Sequence, residues 1–127
     1  MNNDFEEAEE LFQKNFFEEA AEKFISAVKD DLSVYDKYYC FFKAGICFSR
    51  VKKIKEAFSA YEKAKLYSSS PELLYNIGLC YIKMDNFKKA YLSLKLSQAL
   101  YLKEGINDDD CDKLVNTFYN KVLKGEI

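Results

Sequence analysis

Two stretches of the chain repeat one spacing of small and large apolar residues. The first reads Phe41-x-x-Ala44-Gly45-x-x-Phe48, then Ala57-x-x-x-Tyr61-x-x-Ala64. The second reads Leu74-x-x-Ile77-Gly78-x-x-Tyr81, then Ala90-x-x-x-Leu94-x-x-Ser97. Gly45 to Ala57 is twelve residues, and Gly78 to Ala90 is twelve again. Because small residues at fixed offsets let two neighbouring helices approach closely, each stretch predicts a helical hairpin.

An incomplete copy of the same pattern precedes these two. It keeps Ala20-x-x-x-Phe24-x-x-Ala27, with Ala8 twelve residues before Ala20. The two later copies are separated by the interval from Ala57 to Ala90, and the two earlier ones by the longer interval from Ala20 to Ala57. The longer interval has four additional residues, near Leu32 to Tyr35, which predict an extra turn on the first helix of the second hairpin.

Local signals mark where the helices begin and end. Ser33 precedes one predicted helix as an N-cap, and Ser70 with Pro71 opens another. Gly105 supplies a left-handed stop, and Asp108 to Asp110 lie where the dipole of a seventh helix favours acids. This last helix, over about residues 108–124, would cover the apolar end of the third hairpin with Leu114, Val115, Phe118, Val122 and Leu123. The pattern predicts seven helices and no strand, an all-α fold.

The repeated motifs resemble the tetratricopeptide repeat (TPR) over about residues 4–104. The resemblance implies a right-handed superhelical solenoid of three helix-turn-helix hairpins, about residues 4–30, 38–70 and 71–104. The seventh helix would be its capping helix, because the end of a solenoid needs a cover. We expect residues 1–127 to form a single domain. Asp4 and Glu7 depart from the family pattern, because they occupy positions that the family keeps apolar.

The composition weighs against an enzyme. The chain has 127 residues, 49% of them apolar and 17% aromatic, but no His and a single Arg, Arg50. Imidazole acid–base chemistry and His-ligated metals are therefore excluded. Four Cys without a secretory signal or a CxxC pair predict reduced thiols in the cytoplasm rather than disulfides or a zinc site. No apolar stretch is long enough to span a bilayer, and we expect no cofactor.

Charge is unevenly distributed although the net charge is only −2. Eleven acids against three lysines give residues 1–36 a charge of −8; residues 37–103 carry +9 and residues 104–127 carry −3. The lysines between residues 52 and 65 do not predict nucleic-acid binding, because the sequence pI is only about 5.3. A calcium loop starting at Asp108 would need Gly and Glu where Lys113 and Tyr119 stand.

The predicted binding site consists of side chains on the first helices that are not used in packing between helices. In repeats of this kind the first helices line the concave side. There the second repeat would present Tyr39, Phe42, Ile46, Ser49 and Arg50, and the third Glu72, Tyr75, Leu79, Ile82 and Lys83. Most of these are apolar or aromatic, which favours a groove for an apolar peptide. The alternative is that another part of this chain, such as the seventh helix, fills the groove.

The sequence predicts a non-enzymatic, chaperone-like or adaptor module whose partner is another protein, bound through an extended or helical apolar segment. TPR adaptors that grip acidic chaperone tails use Lys, Asn and Arg on these first helices. The matching positions here carry Phe5, Glu9, Lys43, Glu72 and Asn76. Only Lys43 and Asn76 suit that clamp, so the resemblance does not imply it here. A second hypothesis is a translocator chaperone of type III secretion. The sequence is similar to those chaperones in the stretch Leu94 to Leu100 and in the Cys two residues after each glycine. A third is a regulatory or assembly subunit of a larger enzyme complex. The oligomeric state is left open.

Overall fold

The structure is a computed structural model that describes residues 3–127. These residues form seven α-helices and no β-strand, which confirms the all-α prediction. The helices are α1 (Asn3–Gln13), α2 (Phe17–Ala27), α3 (Val34–Arg50), α4 (Ile54–Lys65), α5 (Pro71–Lys83), α6 (Phe87–Lys103) and α7 (Asp109–Leu123). Helix α3 has 17 residues and α5 has 13, so the predicted extra turn is present. No helix within the described range is long and apolar enough to cross a membrane.

The contacts between helices define two compact units, one ending at Ser69 and the other starting at Ser70. In the first unit α1 packs on α2, α2 on α3 and α3 on α4. In the second unit α5 packs on α6 and α6 on α7. Each unit therefore contains helical hairpins of the predicted kind. The organisation of residues 1–127 as a single domain stays a prediction.

The three hairpins turn in the same way. One residue of each turn has the left-handed backbone conformation: Asn15 (φ 66°), Lys52 (φ 63°) and Asp85 (φ 59°). These three positions recur at the same two intervals as the alanines of the sequence motif. In each turn the N–H of the following residue donates to the carbonyl oxygen five residues before it, at 2.8–2.9 Å. This bond closes the end of the first helix with a Schellman motif.

The predicted helix boundaries rest on observed capping bonds. The Ser33 hydroxyl accepts from the N–H of Asp36 at 3.1 Å, and the Ser70 hydroxyl accepts from the N–H of Leu73 at 3.1 Å. The Asp108 carboxylate accepts from the N–H of Cys111 at 2.9 Å. Each bond satisfies one of the amide groups that a helix leaves unpaired at its N-terminus. Gly105 has φ +76°, so the predicted left-handed stop after α6 is confirmed.

The two helical glycines allow close approach within their hairpins. A Cβ added at Gly45 would lie 2.9 Å or less from three ring carbons of Tyr61 on α4. A Cβ added at Gly78 would lie 2.9 Å from Cγ and Cδ2 of Leu94 on α6. Tyr61 and Leu94 are fully buried at these contacts. Close helix packing therefore explains both glycines, as the spacing predicts.

In the first hairpin, an ion-pair network accommodates the two acids at positions that the family keeps apolar. Lys23 Nζ on α2 lies 3.7 Å from Asp4 and 3.0 Å from Glu7. Ala8 and Ala20 are fully buried. Helix α1 therefore packs on α2 through its small residues, and its acids are paired at the edge of the contact.

Helix α7 covers one side of α6. Cys111, Val115 and Phe118 are buried in a cluster with Leu94 and Tyr101 of α6, and Leu114 packs against the cluster. Phe118 stacks on Phe87 with ring centroids 5.7 Å apart. The prediction that Val122 and Leu123 also cover the third hairpin was wrong, because these two side chains in the last turn of α7 are 39% and 65% exposed. The apolar stripe of α7 extends beyond the part that packs.

Candidate functional site

Of the predicted site residues, Tyr39, Phe42, Ile46 and Arg50 lie on α3; we refer to these four as the α3 face. Tyr39 is half-buried, and its hydroxyl donates to Glu9 Oε1 of α1 at 2.6 Å. Its ring centroid lies 5.8 Å from that of Phe5 and 6.2 Å from that of Phe24. Burial, with the Glu9 carboxylate, raises the pKa of Tyr39, so the phenol stays protonated as a donor.

Phe42 lies at the centre of the α3 face. Its ring is half-buried and meets Tyr38 edge to face at 5.6 Å and Tyr61 at 5.9 Å. Ile46, one turn further along α3, is also half-buried. Because aromatic pairs in this arrangement hold each other in place, Phe42 presents a rigid apolar surface to solvent.

Cationic groups lie over aromatic rings beside the α3 face. Lys43 Nζ is 3.6 Å from the ring centroid of Phe12 and 5.7 Å from that of Tyr39. Arg50 is exposed, with Cζ 5.2 Å from the ring centroid of Phe17. These distances are those of cation–π contacts. The α3 face therefore combines half-buried rings with positive charge at its edges.

The other four predicted site residues, Tyr75, Leu79, Ile82 and Lys83, lie on α5 in the second unit and form what we term the α5 face. Tyr75 and Ile82 pack against the buried cluster of α6 and α7. Burial and the carboxylates of Asp110 and Asp108 raise the pKa of Tyr75. Leu79 is half-buried and Lys83 is exposed. Part of the α5 face therefore contributes to packing within its own unit, while Leu79 and Lys83 keep accessible surface.

The cysteines are packing residues. All four are free and buried. Cys47 and Cys80, at the same place in successive repeats, have their thiol pKa raised to about 11 by burial. A thiol whose pKa lies this high carries little thiolate at neutral pH, so it is a poor nucleophile. The prediction that Cys47 and Cys80 are small buried residues is confirmed.

Sequence reasoning did not find the contacts between α1 and α3. The Tyr39–Glu9 bond and the Lys43–Phe12 contact each join residues far apart in the chain, at positions that no local motif links. It also did not single out Leu92 and Leu96, whose side chains are 65% and 52% exposed on α6. The signal for these leucines was available, because the repeat places Ser59 and Lys63 at the matching positions of α4.

Comparisons with known proteins add to this description at the level of fold. No protein-family profile and no curated protein sequence matches the chain. Among solved structures, it is similar to the C-terminal TPR-containing domain of a Plasmodium falciparum protein described as FK506-binding: TM-score 0.78, 19% identity, covering 98% of this chain and 89% of that one.

A second similar structure is the Yersinia enterocolitica type III secretion chaperone SycD, solved in complex with a peptide of the translocator YopD. The TM-score is 0.75 at 17% identity, and the match covers 94% of this chain and 92% of SycD. Both similarities agree with the repeated sequence motif, the repeated left-handed turns and the glycine contacts. The chain therefore has the fold of the tetratricopeptide-repeat proteins.

Proposed function

We propose that this protein is a non-enzymatic binding module that takes an apolar segment of a partner protein against the first helices of its hairpins. The α3 face of the first unit would supply the contact surface. The side chains available there are aromatic, aliphatic and basic, and they suit recognition rather than bond-breaking chemistry.

The observation that carries this proposal is the apolar chemistry of the α3 face. Phe42 and Ile46 keep exposed surface although α3 packs against both α2 and α4. A helix face that needed only to meet water would carry polar side chains at these positions. Rigid rings lose little conformational entropy when they are covered, so Phe42 is the expected anchor of a ligand.

The solved complex of SycD supports the same mode of action. A protein with this fold binds a peptide of another protein, the translocator YopD, in that structure. By analogy with it, a chaperone for a secretion translocator is the second candidate function for this chain. The four free buried cysteines support a reducing compartment, so we propose a cytoplasmic location.

A selection of phage-displayed random peptides tests the proposal. We expect the selected peptides to be rich in apolar residues and to bind with an affinity that falls by about 2–4 kcal/mol in Phe42→Ala/Ile46→Ala. Titration calorimetry with one selected peptide, beside thermal melts of each variant, measures this. Leu66→Ala is the matched control, because Leu66 is 79% exposed and lies outside both faces.

Two results would contradict the proposal. One is the selection of peptides without apolar residues; the other is full affinity in a folded Phe42→Ala/Ile46→Ala variant. To separate the two candidate functions, the protein is used to isolate partners from its native host. A secreted translocator as the specific partner, lost in the double variant, would favour the chaperone.

A further inference from the structure

Helix α6 has a second apolar face, pointing away from its packed side. Leu92 is 65% exposed and Leu96 is 52% exposed, and Ala99 is exposed beside them. Their spacing of four and then three residues aligns them on one side of the helix. We refer to these three residues as the α6 outer face. The packed side of the same helix carries Ala90, Leu94, Ser97 and Tyr101, all buried.

The other hairpins show that this apolar outer face is a departure from the repeat. At the positions that match Leu92 and Leu96 in the preceding hairpin, α4 carries Ser59 and Lys63, both exposed. At the matching positions of the first hairpin, α2 carries Glu22 and Ser26, also exposed. The fold therefore does not require leucine at these places, because the same hairpin is built twice with polar residues there.

Basic side chains surround the α6 outer face. Lys88 precedes Leu92 by one turn, Lys95 lies between Leu92 and Ala99, and Lys103 follows Ala99 by one turn. All three lysines are exposed. Helix α6 contains no Asp or Glu, so its four lysines, Lys89 included, give it a charge of +4. Asp112 of α7 accepts a hydrogen bond from Gln98 of α6 at 2.8 Å.

From the leucines and their basic rim we infer that the α6 outer face is a docking site for an acidic amphipathic helix of a partner protein. The apolar stripe of that helix would cover Leu92 and Leu96, and its carboxylates would meet Lys88, Lys95 and Lys103. A second copy of α6 does not fit, because a symmetric pairing would set lysines against lysines. A bilayer is disfavoured because no exposed aromatic residue accompanies the leucines of α6.

The test uses a designed peptide of 17 residues, the length of α6. It carries Leu at i, i+4, i+7 and i+11 and Glu at the flanking positions, with a fluorescent label for anisotropy. We expect saturable binding that weakens between about 0.05 and about 0.5 M NaCl, because exposed ion pairs are screened by salt. The same peptide with Lys in place of Glu should bind roughly tenfold more weakly or not at all.

The matched variant is Leu92→Ser/Leu96→Lys, which gives α6 the residues that α4 carries at these positions. It should keep the far-UV circular dichroism and melting temperature of the wild type and lose affinity by roughly tenfold or more. Leu66→Ser, which removes an exposed leucine outside the face, should leave the affinity unchanged. Lys88→Glu/Lys95→Glu/Lys103→Glu should reverse the preference, so that the lysine peptide binds better.

The inference is overturned if the glutamate peptide does not bind, or if it binds Leu92→Ser/Leu96→Lys as well as the wild type. Equal binding of the glutamate and lysine peptides would also overturn it, because charge would then play no part. Vesicles of mixed phosphatidylserine and phosphatidylcholine are the remaining arm. Binding to these vesicles, lost in the leucine variant and without binding of the peptide, would assign the face to a membrane surface instead.

Discussion

The α3–α4 and α5–α6 hairpins have the same turn and the same glycine position but differ in what fills the space beside the glycine. Gly45 faces the flat ring of Tyr61, whereas Gly78 faces the branched end of Leu94. A ring cannot bend away from an added atom, while a leucine side chain can change rotamer. The same backbone arrangement therefore accommodates either a tyrosine or a leucine beside the glycine. The two hairpins differ in how readily this neighbour moves aside for an added methyl group.

The outer parts of the two hairpins differ as well. In the second unit, Tyr75 and Ile82 pack against the buried cluster that α6 forms with α7. The α3–α4 hairpin packs against α2, and Tyr39 bonds to α1. Tyr39 and Glu72 hold the same repeat position, yet Tyr39 bonds to a neighbouring helix and Glu72 is exposed, so one position is structural in one hairpin and accessible in the other.

The largest loss of stability is expected where α7 packs on α6 within the second unit. Phe118 is 6% exposed and stacks on Phe87, so Phe118→Ala removes a ring from a closed cluster. We expect the free energy of unfolding to fall by about 3–5 kcal/mol. Amide hydrogen exchange should become faster in α6 and α7. Asn116→Ala, at an exposed position of the same helix, serves as the control. A Phe118→Ala protein as stable as this control would show that α7 does not hold the second unit together.

Alanine substitutions at Gly45 and Gly78 test directly how much space each neighbouring side chain allows. Gly45→Ala places a Cβ against the Tyr61 ring, and we expect a loss of about 1–2 kcal/mol even after the helix propensity gained. Gly78→Ala meets Leu94 Cδ2 and Cγ, so its free energy of unfolding should change by less than about 1 kcal/mol. Chemical denaturation measures both variants.

A double-mutant cycle makes the comparison sharper. In a Tyr61→Leu background the second hairpin has the same glycine–leucine pair as the third. Gly45→Ala should then cost less than it does in the wild type, with a coupling of about 1 kcal/mol. Equal costs in the two backgrounds would show that the Tyr61 ring does not set the limit at Gly45.

Local features of the fold could be predicted from the sequence, and long-range ones could not. Ser33, Ser70 and Gly105 act on amides or turns within a few residues, so their identity and spacing were enough. The burial of Tyr75 depends on where α7 packs, and no period in the sequence fixes that. For the candidate site, the spacing of the repeat predicted which side chains are not used in packing within the hairpins. Which of them a neighbouring helix then covers followed only from the structure.

A smaller effect is expected at Tyr39, where the second repeat has an aromatic hydroxyl and the third has the exposed Glu72. Tyr39→Phe removes the bond to Glu9 but keeps the ring between Phe5 and Phe24. We expect a loss of about 1 kcal/mol in the free energy of unfolding. Tyr35→Phe is the control, because that side chain is 70% exposed. If both variants melt at the same temperature, the Tyr39–Glu9 bond does not stabilise the first unit.

The smallest effect concerns the turns that the three hairpins share. Asn and Asp tolerate the left-handed conformation because their short polar side chains bond locally, whereas Lys52 adopts the same conformation without that help. Lys52→Asn should therefore raise the free energy of unfolding by about 0.5 kcal/mol. Lys95→Asn removes the same charge in the middle of α6, where asparagine is a poorer helix former, and should lower stability by a similar amount. Opposite signs for the two variants would identify backbone conformation as the cause. The same sign for both would mean that the lost charge dominates and that the second turn carries no more strain than the turns at Asn15 and Asp85.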